Sequence, residues 1–245
     1  MAPKRHEADA SSVDSAILAG GLGTRLRPVL SDLPKPLAPV NDRPFVTFLL
    51  DQLVAANLHN AVLCTGYRGD QLQAALGDRY KSLDIAYSQE PAELGTAGAL
   101  RFAVERFQSD AVLVLNGDSY CDVDLKEFCS WHRQREANAS IVLTKVDNSD
   151  RFGSVHTNPD GMITRFGEKV ALQTGGWINA GIYLLARRLI EQIPAQRPVS
   201  LEREVFPEWI GRGFYGYQHL GLFLDIGTPE SFAGAAQLLA AKEST

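Results

Sequence analysis

Leu18-Ala19-Gly20-Gly21-Leu22-Gly23-Thr24-Arg25-Leu26-Arg27-Pro28 is the segment from which the rest of the chain can be read. It follows a short apolar run, Ser15–Ala19, that has the length and composition of a buried strand. Gly20, Gly21 and Gly23 lack Cβ atoms, so successive backbone N–H groups can converge on an anion, and Arg25 and Arg27 add positive charge. Two other glycine loops can be tested on the letters. A P-loop needs Gly-Lys-Ser/Thr, which occurs nowhere, and a dinucleotide fingerprint needs a third glycine where Leu26 stands. Both fail. Downstream, Asp32-Leu33-Pro34-Lys35-Pro36 holds a lysine between two prolines whose rings fix φ, which pre-positions a point charge for a second phosphate contact.

Working outward, Ala61–Thr65, Asp84–Ser88 and Ala111–Leu115 repeat the short buried-strand pattern. Between them Phe45–Ala56, Asp70–Leu76 and Thr96–Phe107 space apolar residues by three and four, and Asp124–Arg135 continues the alternation. Four strand–helix units imply a mainly parallel sheet with helices on both faces. From Ala139 the pattern changes. Ala139–Val146, Phe152–Thr157 and Met162–Phe166 read as strands, the last two joined by the turn Asn158-Pro159-Asp160-Gly161. Ala180–Leu185, a helix at Ala186–Gln192, Phe214–His219 and a final helix over Pro229–Lys242 complete the reading. The expectation is α/β: a single-domain, Rossmann-like three-layer α/β/α fold whose mixed, mainly parallel central sheet carries an antiparallel extension. A flexible leader is expected over residues 1–14, then one domain over 15–245 with halves at 15–138 and 139–245.

The chain has 245 residues, 45% hydrophobic and 22% charged, the balance of a soluble globular protein with a sizeable core. A formal charge of −5 argues against nucleic acid as a partner, because such binding rests on cationic patches over phosphate. It leaves room for anionic substrates at a locally basic site. Cys64, Cys121 and Cys129 form no CxxC pair, and His132, His156 and His219 show no metal spacing, so a cytoplasmic protein without disulfides or zinc is expected. No signal peptide and no membrane span are read.

The glycine loop with the Pro-Lys-Pro lysine resembles the sugar-1-phosphate nucleotidyltransferases, whose signature is GGxGTRLxP followed by PKP. The likeness runs from Ala16 to about Ala240. Within the family, the LGTAGAL, SLEREVFP and FLDIGTPESF segments are most similar to the guanylyltransferases acting on D-glycero-D-manno-heptose 1-phosphate. Mannose-1-phosphate guanylyltransferases and the uridylyltransferases for N-acetylmuramate or glucose 1-phosphate stay open beside it. An NAD-dependent dehydrogenase on a similar sheet is the alternative from another class. The end of the chain soon after Asp225 leads us to expect no C-terminal repeat domain.

The resemblance implies transfer of GMP from GTP to a sugar 1-phosphate with release of pyrophosphate. It places Arg25, Lys35 and Asp118 in catalysis. It assigns the nucleotide to Leu18, Ala19, Gly20, Gly21, Gly23, Thr24, Arg25, Glu90, Gly95, Thr96 and Gly117. Glu90 falls where the family reads the base edge, and a carboxylate accepts the paired N1–H and 2-amino donors of guanine better than it meets uracil. Gly95 and Gly98 open a helix, where free N–H groups suit a ligand. Glu168, Lys169, Asn179 and Glu202 are expected at the sugar phosphate, and Asp118 with Asp225 at Mg²⁺, an ion content with two hard oxygen ligands plus phosphates and water. A homodimer is the expected assembly for a chain this size.

Overall fold

The structure, a computed structural model, describes residues 13–30, 33–146, 153–167 and 176–243. The expected contacts Glu168 and Lys169 lie outside the described residues, as does most of the leader. Val13 and Asp14, placed in that leader, instead begin the first strand. The strand reaches back this far because Asp14 caps a neighbouring turn, accepting from the Gln108 and Ser109 amides at 2.6 and 2.8 Å.

In chain order the first half comprises β1 (Val13–Leu18), α1 (Arg27–Leu30), β2 (Pro39–Val40), β3 (Arg43–Pro44), α2 (Val46–Ala55), β4 (Asn60–Thr65), α3 (Gly69–Leu76) and β5 (Arg79–Tyr80). β6 (Leu83–Gln89), α4 (Gly95–Ala103), β7 (Ala111–Asn116), β8 (Ser119–Cys121), α5 (Leu125–Gln134) and β9 (Ala139–Lys145) follow. The remainder is β10 (Val155–Thr157), β11 (Ile163–Phe166), β12 (Trp177–Ala186), α6 (Arg187–Glu191), α7 (Phe206–Trp209), β13 (Phe214–Gln218), β14 (Phe223–Asp225) and α8 (Pro229–Glu243). Eight strands form one sheet in the order β13-β9-β12-β7-β1-β4-β6-β5. The parallel pairings β1–β4, β1–β7, β4–β6 and β9–β13 give the sheet its direction, and β12 and β5 run against it.

Side chains alternate across this sheet as strand geometry requires. Ile17, Leu63, Leu113 and Leu115 face α2, α5 and α8, whereas Ala16, Val62, Val112 and Val114 face α4, α6 and α7. The result is the expected three-layer, mixed and mainly parallel arrangement. Two details differ from the sequence reading. β12 is ten residues long rather than six and inserts between β7 and β9, and the β10–β11 hairpin forms its own two-stranded sheet, bridged to the large one at Ser154–Ile178 and Met162–Tyr215. The turn itself forms as the letters imply, with the Met162 amide donating to Asn158 Oδ1 at 2.8 Å.

On α5, His132 is buried with Nδ1 2.8 Å from Ser140 Oγ, and burial first, then the Arg133 charge, lowers its pKa from 6.5 to about 4. The unfolded chain therefore takes up a proton that the folded one resists. Stability is intact above the ordinary value and is lost as the pH falls from 6.5 towards 4, by up to about 3 kcal/mol. We expect His132→Gln to flatten this acid limb in denaturant unfolding measured from pH 7 to pH 4. An unchanged limb would assign the loss to other groups.

Candidate active site

The parallel strands deliver their loops to one edge of the sheet, at the carboxyl ends where open α/β sheets bind ligands. Three backbone links hold those loops together, and a fourth closes a turn within the loop after β4. The Ala19 amide donates to Cys64 O at 2.8 Å, Glu90 N to Thr65 O at 2.8 Å, Gly117 N to Leu18 O at 2.9 Å, and Gly69 N to Gly66 O at 3.1 Å. A cavity of about 330 Å³ opens there. After β1 its wall is Leu18, Ala19, Gly20, Gly21, Gly23 and Thr24, and Arg25 follows in a 3₁₀ turn anchored by buried Leu26. Gly23 takes φ +58°, and a Cβ there would stand 3.4 Å from Lys35 Cβ, so the glycine loop and the Pro-Lys-Pro turn pack on each other.

Glu90, Gly95 and Thr96 line the same cavity. Glu90 is buried, which raises its pKa, while one oxygen, Oε2, accepts the Leu94 amide at 3.1 Å. A Cβ at Gly20 or Gly66 would fall within 2.8 Å of its other oxygen, Oε1, so two loops leave a slot for this carboxylate. The start of α4 departs from expectation. The Ala97 and Gly98 amides both donate to Val199 O, at 2.9 and 3.3 Å, so these N–H groups are not free for a ligand. A chain segment a hundred residues downstream satisfies them, and Gly95 at φ +71° has Val199 O where a Cβ would lie. Thr96 is likewise committed: Oγ1 accepts from Leu201 N at 2.8 Å and donates to Glu202 Oε2 at 3.0 Å.

Gly117 and Asp118 complete the first cavity, and Arg25, Asn116 and Asp118 also line a second of about 850 Å³. Lys35 Nζ lies 2.5 Å from Asp118 Oδ2, an ion pair whose lysine side chain is 11% exposed and whose aspartate is 40% exposed. β14 pairs with β8 so that Asp225 is opposite Ser119, and the Ile226 amide donates to Asp118 O at 2.9 Å. The two aspartates are thus brought together at the second cavity, Asp118 from the turn before β8 and Asp225 from the end of β14. Asp225 Oδ1 also accepts the Gly227 amide at 2.9 Å, and a Cβ at Gly227 would fill the space this carboxylate uses.

Asn179 and Glu202 line the second cavity from β12 and from a π-helical turn, Leu201–Val205. π-Turns of this kind recur at functional sites. Between Asn179 and Tyr183 the pairing of β12 with β9 slips, with Gly181 at φ +77°. Asn179 closes that bulge itself, since its Oδ1 accepts the Gly181 amide at 2.7 Å. Sequence reasoning missed Asn116, Ser119 and Arg203, which also face this cavity. Asn116 carried the one available signal, the strand-ending Asn-Gly-Asp; Arg203 is indistinguishable in sequence from a solvated helix charge.

The carboxyl edge of this mainly parallel sheet thus carries a glycine-lined cavity with Arg25 and Lys35 that adjoins a second cavity through Arg25, Asn116 and Asp118, the architecture of an α/β protein with two neighbouring cavities. Residues 15–242 match the Nucleotidyl transferase family, and the chain belongs to it. It is 37% identical over 232 residues to mannose-1-phosphate guanylyltransferase of Mycobacterium tuberculosis, covering 93% of this chain and 65% of that protein. It is 32% identical over 228 residues to D-glycero-alpha-D-manno-heptose 1-phosphate guanylyltransferase of Aneurinibacillus thermoaerophilus, covering 93% of this chain and 98% of that one. Among solved structures, HddC from Yersinia pseudotuberculosis complexed with GMP-PN superposes with TM-score 0.81 at 30% identity, over 92% of this chain and 99% of that one. Membership of this family removes the dehydrogenase alternative. Among the described residues, no helix is long and apolar enough to cross a membrane.

Proposed function

We propose that this protein transfers GMP from GTP to a sugar 1-phosphate, releasing pyrophosphate. The observation that carries the reading is the seam of two adjoining cavities, at which Arg25 and Asp118 belong to both and Lys35 reaches Asp118. One cavity takes the nucleoside triphosphate and the other the sugar 1-phosphate. The phosphate oxygen of the sugar then attacks the α-phosphorus in line, and pyrophosphate leaves with the bonding electrons. No covalent enzyme intermediate is needed, because the incoming phosphate is already a nucleophile. The work of the protein is to hold two anions in contact. Two unit charges ~4 Å apart repel by about 1 kcal/mol in water and about 4 kcal/mol at an effective dielectric of ~20, so cations at the seam are required. Arg25 and Lys35 supply them, joined by Lys169 in the assignment to the sugar phosphate.

Mg²⁺ fits Asp118 and Asp225. Both carboxylates line the second cavity, and two carboxylates with substrate phosphates and water are a donor set that suits this ion. Bound there, Mg²⁺ would neutralise charge on the transferring phosphoryl group. Asn179 and Glu202 are assigned to sugar hydroxyls.

Glu90 is assigned to guanine. Glu90→Gln keeps the shape and replaces one acceptor by a donor, so it is expected to lower kcat/KM for GTP relative to UTP by about tenfold or more. An unchanged ratio would hand base selection to the backbone. For the sugar we assign D-glycero-α-D-manno-heptose 1-phosphate, in a pathway to surface polysaccharide, on the similarity of the segments quoted above and of the Aneurinibacillus protein. Mannose 1-phosphate is the second reading, favoured by the 37% identity to the mycobacterial protein. The two sugars share the manno ring and differ by one hydroxymethylene unit beyond C6. Four nucleoside triphosphates assayed against mannose, glucose, N-acetylmuramate and heptose 1-phosphates, with and without Mg²⁺, test the assignment. Pyrophosphate release that is highest with GTP and heptose 1-phosphate is expected; a preference for another pair replaces that part of it.

A further inference from the structure

Tyr183 is a fully buried residue of β12, and its ring packs 5.1 Å from that of Phe206. Its hydroxyl is the meeting point of side chains from three other places in the chain. It accepts from Asn179 Nδ2 at 2.9 Å and from Asn116 Nδ2 at 3.2 Å, and it donates to Glu202 Oε1 at 3.3 Å. A phenol has one donor and two acceptor positions, so this hydroxyl is saturated. It has nothing left to offer a ligand. Its partners do face ligands: Asn179 and Glu202 line the sugar-side cavity, and Asn116 lines both cavities.

The network continues beyond the hydroxyl. Glu202 Oε2 accepts from Thr96 Oγ1 and from Ser200 Oγ, each at 3.0 Å, which pins the π-turn to the start of α4. Asn179 is fixed at its other end by the Gly181 amide of the bulge. Asn179 and Glu202 are therefore each held at both polar ends, and Tyr183 is the node common to them. Burial, reinforced by the Glu202 charge, holds the phenol pKa well above 10.0, so the donor to Glu202 persists across the working pH range.

We propose that Tyr183 is a positioning residue for the sugar 1-phosphate, setting the amide of Asn179 and the carboxylate of Glu202 for the sugar hydroxyls without touching the substrate. This rests on the transferase reading above. Removing the hydroxyl leaves the Asn179 amide held only by its Gly181 contact and takes one hydrogen bond from Glu202, while the glycine loop and Glu90 are untouched. The loss should fall chiefly on the sugar 1-phosphate.

Tyr183→Phe keeps the ring and its packing. The expected result is a KM for the sugar 1-phosphate raised about tenfold, equivalent to about 1.4 kcal/mol, with the KM for GTP changed less than twofold. The double variant Tyr183→Phe/Asn179→Ala should raise the sugar-phosphate KM over that of Asn179→Ala by clearly less than the roughly tenfold expected for Tyr183→Phe alone, because the part of the role that acts through Asn179 has nothing further to lose and only the Glu202 contact remains. Tyr87→Phe, which removes a hydroxyl that donates to Gly77 O outside both cavities, serves as the control and should leave both constants unchanged. A purely structural role would lower Tm and shift both KM values together, or neither, and would overturn the proposal. Additive effects in the double variant would overturn it as well. If Tyr183→Phe does not fold, Asn179→Ala must by itself show the one-sided rise, and a wild-type sugar KM there would overturn the proposal. Wild-type protein that releases no pyrophosphate with any sugar 1-phosphate overturns the transferase reading and this role together; wild-type turnover without the split overturns this role alone.

Discussion

Asp118→Asn is expected to lower the rate of Mg²⁺-dependent pyrophosphate release by about a thousandfold or more, with the fold unchanged. The magnitude follows from what the carboxylate is assigned to do. A divalent ion neutralising the transferring phosphoryl group is worth several kcal/mol, and ~4 kcal/mol is a factor of about a thousand in rate. The amide is the same shape but carries no charge, so it cannot replace the aspartate as a hard anionic ligand. Stability should move little. Asp118 is 40% exposed, its ion pair with Lys35 is therefore partly screened, and its backbone carbonyl keeps the Ile226 hydrogen bond whatever the side chain. Asp225→Asn should give a comparable loss, since the two carboxylates are assigned to one ion. Single-turnover rates measured over a range of Mg²⁺ concentrations, with Tm recorded in parallel, check both variants. Near-normal turnover in either would remove it from the metal site.

What the chain shows in its letters is what it builds locally. The glycine loop is contiguous, so its fit to an anion and its failure as a P-loop or a dinucleotide fingerprint are legible before any fold is known. The same holds for the four strand–helix units and for the Asn158–Gly161 turn. At the start of α4 the letters show Gly95 and Thr96, which do line the cavity, but not the partner of the amides that follow. Helix-opening amides are free only until another segment reaches them, and Val199 O, far along the chain, takes those of Ala97 and Gly98. β12 was cut short because Gly181 at φ +77° and its bulge interrupt the apolar pattern while the strand continues on both sides. Tyr183 was invisible as a node. An aromatic residue in Asn-Ala-Gly-Ile-Tyr-Leu-Leu reads as core, and its ring is core; only its oxygen meets β7, the bulge and the π-turn. Glu90 divides the same way, its residue type legible and the slot between Gly20 and Gly66 that receives it not.

Lys35→Met is expected to lower turnover by about 10²- to 10³-fold and, at the same time, to strengthen Mg²⁺ binding to the protein without substrates. The first effect is that of deleting one charged donor from a developing phosphoryl anion, about 2.7–4 kcal/mol. The second comes from the ion pair. Lys35 Nζ sits 2.5 Å from Asp118 Oδ2, on the carboxylate assigned to the ion, so ammonium and metal would compete for the same oxygen. On the assignments above, a bound triphosphate would offer Lys35 a more highly charged partner and leave Asp118 to the ion, which would make the lysine a link between nucleotide and ion. Methionine has nearly the same length and no charge, so the packing beside Gly23 is kept while the competition ends. Thermal shift against Mg²⁺ concentration, without nucleotide, reads the second effect independently of activity. Tighter Mg²⁺ with slower turnover is the expected pair of results. Weaker Mg²⁺ with slower turnover would mean that Lys35 serves chiefly to hold Asp118 in place, and the direct contact between this lysine and phosphate would have to be given up.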